Sequence, residues 1–211
     1  MGKEIVIGGA DGPTSVCLIK KHSKLTFRQK LEKFKYKLKR AYVEKTLQMK
    51  SHSLDEVMDY IVKEHHFVEL PSDEICHEYE EMRASFIMQH APELLGEYAS
   101  MPHLKSESQE DIQDYLKQFE LRQQKAREVP VGAFDIDFHK FQIASGDEGG
   151  TMEITIEKRF AYIGGGFSGS KKETRRFQRI FKDVYRYYGV TSEDRETKSK
   201  RYEQVVRALT R

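Results

Sequence analysis

The sequence predicts an α+β fold: a small, mostly antiparallel sheet made of an N-terminal strand and a C-terminal hairpin, with about five helices packed on and beside it. Three observations carry that reading. Apolar residues recur at helical spacing through most of residues 26–127. The period drops to two after Val131, where Phe134, Ile136 and Phe138 alternate with Asp135, Asp137 and His139. Met152, Ile154 and Ile156 then alternate with Glu153, Thr155 and Glu157 beyond a Ser-Gly-Asp-Glu-Gly-Gly turn, which makes a hairpin with one buried face. An isolated hairpin is marginal in water, so its apolar face needs helices or another strand, and the N-terminal strand is the natural recruit.

Taken in order, Lys3 to Gly8 reads as a strand because Ile5, Val6 and Ile7 are β-branched and a Gly pair closes the run. Ser15 to Lys20 can return as a second strand. From Thr26 the spacing of Phe27, Leu31, Phe34, Leu38 and Ala41 or Tyr42 is helical, with Lys and Arg on the other faces. That stripe is narrow enough to be core. Ser53 and Glu56 form a capping box, so a second helix begins there and carries Leu54, Val57 and Ile61 inward. Pro71 closes it. Asp73 to His90 repeats the spacing, Pro92 interrupts it before a short turn, and Ser106 to Arg127 resumes it with Ile112, Leu116 and Phe119. After the hairpin, a helix from about Lys172 to Tyr188 presents Phe177, Ile180, Phe181 and Val184, and Thr191 with Asp194 starts the last one.

A chain of 211 residues with 12 Phe and 11 Tyr has the bulk for a single domain with one sizeable core. Two cysteines some sixty positions apart make neither a disulfide framework nor a zinc motif, which fits a reducing cytoplasm. No run is long and apolar enough for a membrane span, and basic residues follow the broken apolar run near the N-terminus instead of preceding it, so a soluble, unexported protein is expected. The net charge of +2 conceals three sections. Residues 1–50 hold a strand, a loop and a basic helix, with twelve Lys or Arg against two acids in residues 19–50. Residues 51–130 are helical and acidic, with seven against eighteen, and residues 131–211 hold the hairpin and two helices, with sixteen against twelve. The first partner expected for the basic section is the acidic one.

Candidate sites are few. The loop Gly8, Gly9, Asp11, Gly12, Thr14 can offer backbone N–H groups to an anion or a carboxylate to a cation, although turn chemistry alone also explains it. A second Gly-rich run, Gly164, Gly165, Gly166, Ser168, Gly169 and Lys171, lies ahead of a helix, where backbone donors suit an anion. It is neither a Walker loop, since Ser170 follows Gly169 where a Lys is needed, nor a dinucleotide fingerprint. Asp135, Asp137 and His139 share one side of the expected strand and can converge on a metal ion, or simply form its solvated face. Lys30, Lys33, Lys37 and Arg40 form a basic patch interleaved with aromatics, a pattern suited to nucleic acid or to an acidic partner.

One stretch resembles a known family. Ile7 to Ser15, IGGADGPTS, looks like the signature of the membrane-embedded β subunit of sodium ion-translocating decarboxylases of the oxaloacetate type. The resemblance implies a role in sodium passage for Asp11, with Gly8, Gly9, Gly12 and Thr14 shaping the loop. It covers nine residues, and that family spans the membrane several times, whereas this chain has no span. The remainder resembles uncharacterised soluble clostridial proteins that share the same N-terminus. No nucleophile motif or cofactor fingerprint is present. The function expected is therefore that of a cytoplasmic, non-enzymatic module binding a protein or a small anion, without a cofactor; a nucleic-acid binder and a relative of the decarboxylase subunit are the alternatives.

Overall fold

A computed structural model describes residues 3–7, 16–20, 26–104, 106, 108–144 and 149–210. In chain order these form β1 (Lys3–Ile7), β2 (Val16–Lys20), α1 (Phe27–Thr46), α2 (Leu54–His65), β3 (Val68–Glu69) and α3 (Cys76–His90). A 3-10 segment (Pro92–Tyr98) and α4 (Gln109–Glu128) follow. Then come β4 (Phe138–Ala144), β5 (Thr151–Glu157), β6 (Tyr162–Ser168), α5 (Lys171–Tyr188), α6 (Ser192–Thr197) and α7 (Lys200–Thr210). The class is α+β, as the sequence predicts. None of the helices among the described residues is long and apolar enough to cross a membrane.

The sheet is assembled differently from the expectation. β1 pairs antiparallel with β2 in a sheet of two, Ile5 opposite Leu18 and Val6 opposite Cys17, instead of joining the C-terminal hairpin. Only eight residues separate β1 from β2 in sequence, whereas reaching the hairpin would close most of the chain at a larger entropic cost. The main sheet runs β3-β4-β5-β6, with β3 antiparallel to β4 and β5 antiparallel to β6. Its two edge strands, β3 and β6, go beyond the strands the sequence predicts. There are also eight helical segments among the described residues, the 3-10 segment included, where about five are expected. The last helix divides because Lys198 takes a left-handed conformation at φ 52, closing α6, while the Ser199 hydroxyl accepts from the Tyr202 amide at 3.2 Å and starts α7.

Capping follows the sequence closely. Thr26 with Gln29, Ser53 with Glu56, Ser170 with Glu173 and Thr191 with Asp194 each form a reciprocal capping box, satisfying two orphan donors at the helix start.

The chain divides into two compact units, Met1–Ser23 with Pro71–Phe138, and Lys24–Leu70 with His139–Arg211. These cut across the three sections of charge. In the first, α3, α4 and the 3-10 segment enclose a small core of Ala84, Ile87, Leu95, Ala126 and Val129. Two buried arginines complete it. Arg83 donates Nε to the Phe134 carbonyl at 2.7 Å and Nη2 to that of Val129. Arg122 donates to the carbonyls of Tyr98 at 2.9 Å and of Met88 and Ala99 at 3.1 Å. A buried guanidinium is tolerated only when its fork of donors finds acceptors, and here loop carbonyls supply them. Burial pulls the Arg122 pKa below its ordinary value.

Arg83 also explains why residues 131–137 do not extend β4. With the carbonyls of Val129 and Phe134 drawn to one guanidinium, the backbone turns at 131–134, and the alternation expected from Phe134 onward begins as a strand only at Phe138.

In the second unit, α5 and α7 pack with α2 on the sheet. Met152, Ile154 and Ile156 of β5 are fully buried against Phe177, Val184, Tyr202, Val205 and Val206. The period of two is therefore borne out for β5. Burial of six or more such side chains, at roughly 1.5–3 kcal/mol each, is the main force holding this unit. Glu157 is buried at the end of β5, where its carboxylate accepts from the turn amides of Arg159 at 3.1 Å and Phe160 at 2.7 Å.

Candidate functional site

The residues singled out by sequence fare unequally. Gly8, Gly9, Asp11, Gly12 and Thr14 lie outside the described residues.

The second Gly-rich run is not a loop. Gly164, Gly165, Gly166 and Ser168 belong to β6 and pair with β5, Gly165 opposite Ile154 and Gly166 opposite Glu153. Two of these glycines serve close packing: a Cβ on Gly164 would enter the Tyr162 ring, and one on Gly165 would meet the Glu153 carbonyl. The anion position at the start of α5 is filled from within. Glu173, 4% exposed, accepts from the Ser170 amide at 2.9 Å and the Gly150 amide at 3.3 Å. Cβ atoms on Gly169 or Gly150 would come within 2.7 and 2.6 Å of that carboxylate. The chain thus supplies its own anion at the helix start whose donors would suit an external one, and Lys171 is an exposed first residue of the helix.

Nor do Asp135, Asp137 and His139 share a strand. Asp135 accepts from the Tyr79 hydroxyl at 2.6 Å and from the Ile136 amide at 2.8 Å, while the His139 ring lies 2.7 Å from the Glu69 carboxylate. Among the described residues no three His, Cys, Asp or Glu side chains are grouped to hold a metal ion. Glu153 of the hairpin has a positive counterpart, since Lys140 lies 3.1 Å from it.

The basic helix holds the largest departure. α1 buries no residue, and its apolar stripe, narrow enough by sequence to be core, is exposed: Phe27 by 83%, Leu31 by 41%, Phe34 and Leu38 by 57%. Lys30, Lys33 and Lys37 are exposed, as a patch requires. Arg40 is not part of it: its guanidinium spans Glu44 at 2.9 Å and both carboxylate oxygens of Glu203 at 2.7 and 2.9 Å. The Glu203 hydrogen bonds hold Arg40 above its ordinary pKa and moor α1 to α7.

A different set of cations does converge. Within the second unit, a cleft of about 480 Å³ is lined by Lys39, Tyr42, Val43, Thr46, Leu47, Gln48, Lys50, Lys182, Arg186 and Leu209. Four of these are basic and, among the described residues lining it, none is acidic. Val43 and Leu47 close the floor by packing against the core. Lys182 and Arg186 stand one turn apart on α5, so they share a face. Burial, and then the charges of Lys39 and Arg186, push the Lys182 pKa below its ordinary value of 10.5.

Lys50 is set by the α1–α2 connector, which crosses the end of α5. Ser51 bridges to Gly189, and the His52 amide donates to the Tyr188 carbonyl at 3.1 Å. Arg201 clamps the crossing, donating to the carbonyls of Gly189 at 2.9 Å, His52 at 2.7 Å and Tyr188. Beside it the His52 ring stacks on Tyr187 at 3.8 Å and Tyr187 on Tyr60 at 3.9 Å. Tyr60 donates to Asp183 at 2.6 Å, and His65 contacts the same carboxylate oxygen at 3.1 Å.

The helices that carry Lys39, Lys182 and Arg186 are legible in the sequence, whereas the convergence of these three with Lys50 of the connector is not. The usable signal is the spacing of four between Lys182 and Arg186, which puts both on one face of the helix expected from about Lys172 to Tyr188. Comparison with family models, curated proteins and solved structures brings no match.

Proposed function

We propose that this protein is a non-enzymatic binding module whose cleft between α1 and α5 takes a small anionic ligand. The observation that carries the reading is the convergence of Lys39, Lys50, Lys182 and Arg186 on one cleft whose described lining has no carboxylate. Like charges gathered in a partly desolvated site repel, and an anion relieves that repulsion. Lys and Arg donors can hydrogen-bond phosphate or carboxylate oxygens, while Tyr42, Val43 and Leu209 offer an apolar wall to the rest of the ligand.

The test is thermal melting with inorganic pyrophosphate titrated at constant ionic strength, on the native chain and on Lys182→Ala and Arg186→Ala. A saturable rise in Tm that both substitutions abolish is expected. An absent or unsaturable rise, or one indifferent to both substitutions, overturns the reading. A mixed-sequence oligonucleotide forms the second arm. Tighter binding there, with a steep salt slope and loss on reversing Lys30, Lys33 and Lys37, would replace the small anion by nucleic acid.

A further inference from the structure

The exposed stripe of α1 is built to pair with a helix. Phe27, Leu31, Phe34, Leu38 and Ala41 follow each other at spacings of four, three, four and three, which is the heptad seam of a two-stranded coiled coil. At about 100° per residue these five fall on one side of α1, and Tyr36 and Val43 fall on the other. Val43 packs against the core of the unit and Arg40 is moored to Glu203, so the seam faces away from the body that α1 belongs to. All five seam residues are exposed, Phe27 by 83% and Phe34 and Leu38 by 57% each. From Phe27 to Ala41 the seam is about 21 Å long.

The positions flanking the seam, which in a coiled coil meet the partner helix, are Arg28, Lys30, Lys35, Lys37 and, beside Ala41, Tyr42; four of the five are basic and none is acidic. Lys35 reaches Glu32 at 3.1 Å, an exposed pair on the same helix that a partner carboxylate can exchange with at little cost. The two acids of α1, Glu32 and Glu44, engage Lys35 and Arg40. Two copies of α1 side by side would face basic flank with basic flank, which excludes a second copy of this chain as the occupant.

We infer that α1 docks an acidic helix of another protein, one with an apolar heptad seam and Glu or Asp at the flanking positions, as a heterotypic two-stranded coiled coil. The helix is already formed and capped by Thr26 and Gln29, so only the partner pays an ordering cost. This inference is independent of the anion cleft.

The experiment uses the full chain and two synthetic peptides of three heptads, both with Ile and Leu in the seam, one with Glu and the other with Lys at every flanking position. Binding is read by fluorescence anisotropy at low and high salt, beside vesicles of phosphatidylserine and phosphatidylcholine. The Glu peptide should bind, more weakly in high salt, and the Lys peptide should not. Phe34→Ser should abolish binding, and reversing Arg28, Lys30, Lys35 and Lys37 to Glu should shift preference to the Lys peptide by at least about tenfold, from four surface pairs of modest strength each. These residues are exposed, so the variants should keep the native circular dichroism and Tm, and Lys182→Ala should bind the Glu peptide like the native chain. Failure of the Glu peptide to bind, equal binding of both peptides, survival of binding in Phe34→Ser, or a seam-dependent preference for the anionic vesicles each overturns the inference.

Discussion

Gly189→Ala is a substitution whose cost follows directly from the backbone geometry. Gly189 ends α5 at φ 57 and ψ −164, a region essentially reserved for glycine. Adopting it costs an alanine about 1–3 kcal/mol. A Cβ there would also fall on the Lys50 carbonyl oxygen, a backbone atom with no flexible end to yield. The connector must lift, which opens the Ser51–Gly189 bridge and loosens the bonds from the His52 amide and Arg201 to the end of α5. Two such bonds lost, at about 1 kcal/mol or more each, bring the total to roughly 3–5 kcal/mol. For a chain of this size that is a Tm drop on the order of 10 °C. Urea denaturation and thermal melting followed by circular dichroism measure it. Gly166→Ala is the control, since a Cβ on Gly166 meets nothing within 4 Å and should leave stability within about 1 kcal/mol. Because Lys50 rides on the connector, pyrophosphate binding should weaken in parallel. A Gly189→Ala protein as stable as the Gly166→Ala control would refute the reasoning.

Three further outcomes are expected. Arg122→Leu, which orphans the carbonyls of Met88, Tyr98 and Ala99, should destabilise the first unit by about 3–5 kcal/mol and speed amide exchange along α4; unchanged or raised stability would show that burying the charge had cost as much as its bonds return. Lys182→Met should stabilise the unliganded chain, because the lowered folded-state pKa marks a charged form that folding disfavours; the gain should be full at neutral pH and shrink as pH rises from that lowered value toward 10.5, and a pH-independent gain would point to packing instead. Tyr60, pushed up to about 12 by its hydrogen bond to Asp183 and then by burial, contributes stability that is whole below pH 10.0 and lost as pH climbs through about 12; Tyr60→Phe should remove that contribution and its late tyrosinate titration, and an ordinary titration midpoint in the native chain would contradict the bond.

How legible the molecule is in its sequence depends on the range of the interactions involved. Capping boxes operate over three residues, and Ser53 with Glu56 and Thr191 with Asp194 could be read directly. The alternation of Met152, Ile154 and Ile156 fixes a half-buried strand in the same way, because the pleat exposes every second side chain whatever lies above it. The run Gly164–Gly166 misleads because glycine usually signals a turn, whereas here the missing side chains of Gly164 and Gly165 make room for Tyr162 and the Glu153 backbone. The same limit applies to Asp135 and His139, whose partners, Tyr79 and Glu69, lie more than fifty residues away in sequence.

The candidate sites show that limit most clearly. Periodicity announces that α1 has an apolar stripe; it is silent on which side of the helix meets the body of the unit, and Val43 and the Arg40–Glu203 mooring decide that. Composition announces an excess of lysine and arginine; only the crossing of the connector over α5 gathers Lys50 with Lys182 and Arg186. The sequence by itself determined the α+β class, the helix starts and the alternating strand, all of which rest on contacts between near neighbours in the chain. The tertiary structure alone decided which strands share a sheet, which arginines are buried and which charges face one another, because those depend on pairs that the chain brings together only on folding.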